Sequence, residues 1–168
     1  MPKDRVPIEI IVGEQRLTVS VPVVDSFVAL SPESEASAMN LPDAVTVPLI
    51  RLVVARSGDK GDHANIGVAA RKPVYLPYIE SALTTAAVRR YFAHVLKGGE
   101  QGRVERWHLP GTHSLNFLLY NALGGGGAAS LRTDPQGKAY AQMLLDYPVA
   151  IPRALAASLG QALHASQT

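Results

Sequence analysis

Within residues 56–65 the chain places Arg56, Ser57, Asp59, Lys60, Asp62 and Asn65, with Gly58 and Gly61 between them. Glycine admits positive φ and close approach of another group, so this spacing puts both charge signs beside a backbone that a small ligand can reach. A second polar segment, residues 124–138, carries Ser130, Arg132, Asp134 and Lys138 behind the run Gly124, Gly125, Gly126 and Gly127. If the two segments meet, Lys60, Arg132 and Lys138 hold a carboxylate or a phosphate, while Asp59, Asp62 and Asn65 orient the loop or act as acid or base. Lys138 falls at the start of an expected helix, where unpaired backbone N–H groups favour an anion. The same residues also support a ligand-free reading in which Asp59 and Asp62 pair with Arg132 and Lys138 and lock the loops. Asn116, an amide among Leu115, Phe117 and Leu118, must bond either to the glycine-loop backbone or to a ligand.

Other chemistries lack their residues. The chain has no cysteine, which removes disulfides, thiolate ligands and a cysteine nucleophile together. His63, His94, His108, His113 and His164 follow neither HxH nor HExxH spacing, so no metal site is expected. Gly124, Gly126 and Ala129 match the dinucleotide fingerprint in spacing, yet that motif follows a strand and opens a helix, and here the order is reversed. No GxxxxGK[ST] phosphate loop occurs. No nucleophile, base and orienting group form a visible set, so catalytic residues stay unassigned and no cofactor is expected.

The bulk numbers set the frame. A chain of 168 residues, 47% hydrophobic and 18% charged, is long enough for one compact domain and too short for two ordinary ones. Its 16 basic and 14 acidic residues leave a net charge of +2, without the concentrated positive charge that nucleic acid requires. No apolar run approaches the roughly 20 residues of a membrane span. No signal-like apolar stretch follows the charged N-terminus, and the absence of cysteine suits a reducing compartment, so a cytoplasmic protein is expected.

These side chains need elements to hold them. Residues 8–12 and 17–21 alternate around Gly13, Glu14 and Gln15, which predicts a hairpin with Arg16 on its wet face. Residues 23–30 continue apolar, and 31–42 read as an exposed linker. The apolar run 47–54 and the alternation at Ile66 and Val68 predict two strands flanking a polar loop. Residues 75–96 have helical spacing, with Thr84 positioned to cap a second helix. The basic residues Arg89, Arg90, His94 and Lys97 near its end read as a solvated helix terminus and not as a binding patch. Residues 103–109 read as a strand with Trp107 on its apolar face, and 114–123 as a short apolar helix capped by Thr112 or Ser114. A helix from Gln136 to about Leu145, a short edge strand at 149–151 and an alanine-rich terminal helix at 154–164 complete the chain.

The string ARSGDKGDHANIGVAAR at 55–71 stands with Leu109-Pro110, Leu115-Asn116-Phe117, Gly124 to Gly127, Ser130-Leu131-Arg132, Asp134 and Gln136-Gly137-Lys138. Read together and in order, these motifs resemble the C-terminal domain of the acyclic terpene utilisation (AtuA) family, over residues 49–152. The resemblance implies a ferredoxin-like α+β fold and a link to catabolism of acyclic terpenes and branched acids; it brings no settled catalytic residue. Longer members carry a large domain ahead of this one, and here only residues 1–48 precede the matching stretch.

The expected architecture is α+β, a single antiparallel-dominated sheet with helices on one face and an N-terminal hairpin extension. Its divisions are 1–48 (hairpin and linker), 49–152 (the AtuA-like domain) and 153–168 (terminal helix). The expected function is accessory binding of a small anionic or acyl ligand through Ser57, Asp59, Lys60, Asp62, Asn65, Asn116, Arg132 and Lys138. The alternative is an interaction subunit that docks on a separately encoded large AtuA-type chain or on itself. A homo-oligomer is expected because the hairpin leaves apolar faces and strand edges that a chain this size can hardly cover.

Overall fold

The computed structural model describes residues 7–20 and 39–164, with side-chain burial described through 159. The apolar continuation at 23–30 and the linker at 31–38 lie outside the described residues. The chain divides into two units, Met1–Ser31 and Pro32–Thr168.

In the first unit β1 (Ile8–Val12) and β2 (Gln15–Val19) form an antiparallel hairpin. Gly13 has φ +63, as the first position of a two-residue loop requires. The register pairs Ile8 with Val19 and Ile10 with Leu17. Strand alternation therefore collects Ile8, Ile10, Val12, Leu17 and Val19 on one face, and all are exposed. Glu9 and Arg16 form an ion pair at 3.2 Å on the other.

The second unit is built on a four-stranded antiparallel sheet in the order β4-β5-β7-β6, comprising β4 (Val53–Lys60), β5 (His63–Ala70), β6 (Val104–Leu109) and β7 (Ser114–Leu119). Alternation sends Ala64, Ile66, Val68, Leu115, Phe117 and Leu119 to one face, where all are buried. Four helices accompany this sheet: α1 (Leu76–Ala82), α2 (Thr85–Tyr91), α3 (Tyr140–Leu144) and α4 (Arg153–His164). Ile79 and Leu83 from the α1 end, Val88 and Phe92 from the α2 end, and Tyr140, Ala141 and Leu144 of α3 join the same core. Thr84 caps α2 as its spacing predicts, its hydroxyl accepting from the Ala87 N–H at 3.1 Å. A second ladder pairs β3 (Ala44–Pro48) with β8 (Pro148–Pro152), the expected edge strand. The opposite face of the four-stranded sheet has no helix across it among the described residues.

Several elements differ from the sequence reading. The apolar run 47–54 is broken by a 3₁₀ turn at Leu49–Arg51 that separates β3 from β4. The polar stretch after it is strand almost to its end, because β4 is an edge strand with one open face, where polar residues incur little desolvation. Residues 114–119 are a central strand, not a helix: Leu115, Phe117 and Leu119 point inward while Asn116 and Leu118 are half-buried on the other face. Thr112 and Ser114, read as helix caps, close the β6–β7 turn instead, donating to Leu109 O at 2.7 Å and Thr112 O at 2.9 Å. The face of β6 that enters the core carries Val104 and Arg106, so Trp107 is half-buried on the open face. Arg106 tolerates burial by donating to the carbonyls of Glu80 and Leu83, at 2.9 and 3.1 Å, where α1 ends and exposes unpaired acceptors. The helix expected from Gln136 begins at Tyr140, after a turn in which the Asp134 carboxylate accepts from the N–H groups of Lys138 and Ala139 at 2.9 and 2.8 Å.

Candidate functional site

The two polar segments meet. β4 and β5 are joined by Gly61 and Asp62, with Gly61 at φ +65, and this turn lies against the glycine loop. The Asp62 carboxylate accepts from the Gly125 N–H at 2.6 Å, and the Asp62 carbonyl accepts from the Leu123 N–H at 3.1 Å. The next residue, His63, accepts at Nδ1 from the Asn121 N–H at 3.1 Å. Gly126 is so close that a Cβ there would overlap the Gly61 carbonyl. Backbone packed this tightly leaves no space for a ligand between the two turns.

The cations beside this junction have internal partners. The Arg132 guanidinium donates to the carbonyl of Ala122 and, at 3.0 Å, to that of Val95, and it lies 3.4 Å from the Tyr140 hydroxyl. Lys138 Nζ stands 4.0 Å from Asp59 Oδ1, a mostly exposed pair. Ser57 bridges β4 to α3, donating to Lys138 O at 3.1 Å and accepting from the Ala141 N–H at 2.9 Å. Thus Ser57, Asp59, Asp62, Arg132 and Lys138 gather at one end of the sheet, held by bonds within the fold.

Tyr140 anchors the same corner, its hydroxyl donating to Ala122 O at 2.8 Å. Burial raises its phenol above the ordinary 10.0, opposed by the nearby Arg132 guanidinium. Burial, aided by Asp146, shifts Tyr91 in the same direction. The folded protein therefore keeps phenolic protons that the unfolded chain has released. Stability from these groups is complete below about pH 10 and is lost as pH rises through the folded values. Urea midpoints are expected to fall from that pH upward with tyrosinate absorbance appearing on unfolding, and Tyr140→Phe should flatten the fall. An identical slope in the variant would refute the assignment.

The remaining sequence-selected residues lie elsewhere. Asn65 and Asn116 sit on adjacent strands of the open face, Asn65 Nδ2 donating to Asn116 Oδ1 at 2.6 Å. Asn116 thus takes its partner across the sheet, not from the glycine loop. Lys60 ends β4 in an exposed position and has no side-chain hydrogen-bond or ion-pair partner among the described residues. Register places Arg56, Gly67, Asn116 and Trp107 in one row across this face, with Val54, Ala69, Ser114 and Leu109 in the next. Because Gly67 and Ala69 add little or no side chain, the sheet carries a hollow of about 230 Å³ lined by Val54, Arg56, Gly67, Ala69, Leu109 and Ser114.

Gly67 needs no special backbone, since its φ is not in the positive range, and a Cβ there would meet only Arg56 O at 3.9 Å. A strand-interior glycine with no side chain to pack leaves this face open to close approach by another group. The sequence reading keeps Arg56 in the first polar segment without assigning it to a ligand and puts Trp107 in the core, because the row forms only through strand pairing; the available signal was Gly67 interrupting the alternation between Ile66 and Val68.

Among the described residues, no helix is long and apolar enough to cross a membrane. No curated protein and no solved structure matches the chain. The AtuA ferredoxin-like domain model matches residues 47–150, from the end of β3 into β8 and including both polar segments and the open sheet face. With more than half of its length matched, the chain belongs to the AtuA ferredoxin-like domain family.

Proposed function

We propose that this domain binds a small carboxylate or acyl ligand on the open face of its sheet, as an accessory to breakdown of acyclic terpenes or related branched acids. The observation that carries this reading is the hollow over Gly67 and Ala69 with Arg56 at its side. The Arg56 guanidinium has no ion-pair or hydrogen-bond partner among the described residues. An apolar tail lies over Gly67 and Ala69 between Val54 and Leu109, and the carboxylate meets Arg56. The Asn65–Asn116 pair supplies amide groups beside the same row, and Lys60 adds a cation farther along β4. Ser57, Asp59, Asp62, Arg132 and Lys138 serve this site from behind by fixing the β4–β5 hairpin. Catalysis is not part of the proposal.

Calorimetric titration with branched and linear short carboxylates and acyl-CoA thioesters tests it. Arg56→Gln removes a charge-assisted contact and should weaken binding roughly tenfold to a hundredfold. Its effect on stability should stay within about 0.5 kcal/mol, because the side chain is exposed. Gly67→Val fills the hollow and should abolish binding while leaving the melting temperature equal or higher, since a β-branched residue suits a strand. Wild-type affinity in Gly67→Val, or no binding by any compound, defeats the reading.

A second reading rests on the hairpin of the first unit. An isolated two-stranded hairpin is marginal in water, and the exposed face of Ile8, Ile10, Val12, Leu17 and Val19 calls for a cover. A homo-oligomer or a separately encoded large AtuA-type chain would supply one. We place the protein in the cytoplasm on its lack of cysteine.

A further inference from the structure

We infer a separate phosphate-binding groove on the outer side of α2, independent of the open sheet face. Ala86, Arg89, Arg90 and Ala93 follow helical spacing i, i+3, i+4 and i+7 and form one exposed stripe, while Ala87, Val88 and Phe92 turn into the core. With Leu96, Lys97 and Gly98 they line a hollow of about 420 Å³. The groove contains three cationic side chains and no carboxylate.

Two features shape the groove. The Arg89 guanidinium donates to Gly99 O at 2.9 Å, which ties it to the far wall. The backbone of Gly102 packs on Lys97 so closely that a Cβ there would overlap the Lys97 carbonyl, which fixes the loop that presents Lys97. Arg90 and Lys97 have no ion-pair partner among the described residues. The helix dipole favours cations at a C-terminus, but it does not account for a concave surface with small alanines where long side chains would cover the guanidinium groups. Three cations lining one hollow with no carboxylate among them repel one another, and a dianionic phosphate relieves that repulsion while taking paired N–H donors from arginine. The groove is large enough for a phosphate or pyrophosphate with part of its ester.

The probe is inorganic pyrophosphate, titrated into the full chain at fixed ionic strength with backbone amide shifts recorded. Saturable shifts confined to residues 86–99 are expected. Arg90→Glu with Lys97→Glu should weaken binding roughly a hundredfold or more, because two charge-assisted contacts are lost and Arg89 remains as the structural tie. Ala93→Leu narrows the groove without changing charge and should weaken it at least tenfold. Adenosine diphosphate and vesicles containing phosphatidate are run in parallel. Given the pyrophosphate shifts, a response to the nucleotide identifies a soluble phosphate ester, and a response to the vesicles without one to the nucleotide identifies a lipid headgroup. Absence of saturable shifts, shifts centred outside 86–99, or full binding in Ala93→Leu would overturn the inference, the last by reducing the groove to non-specific helix-end charge.

Discussion

Gly126→Ala is expected to lower folding stability by about 2–4 kcal/mol, which for a chain of this size is a fall of roughly 4–16 °C in melting temperature. Two effects combine. Gly126 has φ +67 and ψ 166, a region essentially reserved to glycine, where a Cβ costs about 1–3 kcal/mol. The same Cβ would also overlap the Gly61 carbonyl, which is backbone and cannot swing aside. The β4–β5 turn and the glycine loop must therefore separate, and the bond from Gly125 N–H to the Asp62 carboxylate lengthens or breaks. Gly127 is the internal control, since its φ is +46 but nothing lies within 4 Å of a Cβ there. Gly127→Ala should show the conformational cost of about 1–2 kcal/mol alone. Urea denaturation of both variants checks this, with the slope unchanged so that the midpoints compare directly. Equal losses in the two variants would show that the contact between the turns contributes nothing.

That contact was legible in the chain because glycine runs and acidic turns announce themselves locally. Local signals also placed the hairpin around Gly13, the cap at Thr84 and the pairing of β4 with β5. What failed was assignment that depends on neighbours in space. The stretch Ser114 to Leu119 fits a helical stripe as well as a strand until β5 and β6 are known to flank it, whereupon Leu115, Phe117 and Leu119 become an inward row. Trp107 misled for a related reason: its size suggested the core, but the carbonyls at the end of α1 drew Arg106 inward on the alternate face. The candidate site divides in the same way. The gathering of Ser57, Asp59, Asp62, Arg132 and Lys138 follows from motifs along the chain, whereas the row Arg56, Gly67, Asn116 and Trp107 exists only once three strand registers are set. Partner choice was the least readable feature, because an asparagine or arginine in a polar segment carries the same signal whether its donors face a ligand or a carbonyl.

Arg132 makes that difference measurable. Its guanidinium donates to the carbonyls of Ala122 and Val95, joining the glycine loop to the segment after α2, and its stem passes beneath Gly124, where a Cβ would stand 3.0 Å from Nε. Removing it leaves the Val95 carbonyl without its donor, while Ala122 keeps the Tyr140 hydroxyl at 2.8 Å. A partly buried acceptor without its partner costs about 1 kcal/mol or more, and loss of the packed stem adds to this, so Arg132→Ala should destabilise by about 1–3 kcal/mol. Arg132→Lys should recover only a fraction, since one ammonium does not reproduce the planar fork that reaches two carbonyls in different directions. Lys138→Ala, which breaks only an exposed pair at 4.0 Å, should cost no more than about 1 kcal/mol. Chemical denaturation of the three variants gives the ranking, and carboxylate titration of the same proteins separates fold from ligand. An Arg132→Ala protein as stable as wild type but unable to bind would return this arginine to the ligand; a destabilised protein that still binds when folded assigns it to the scaffold behind Arg56 and Gly67.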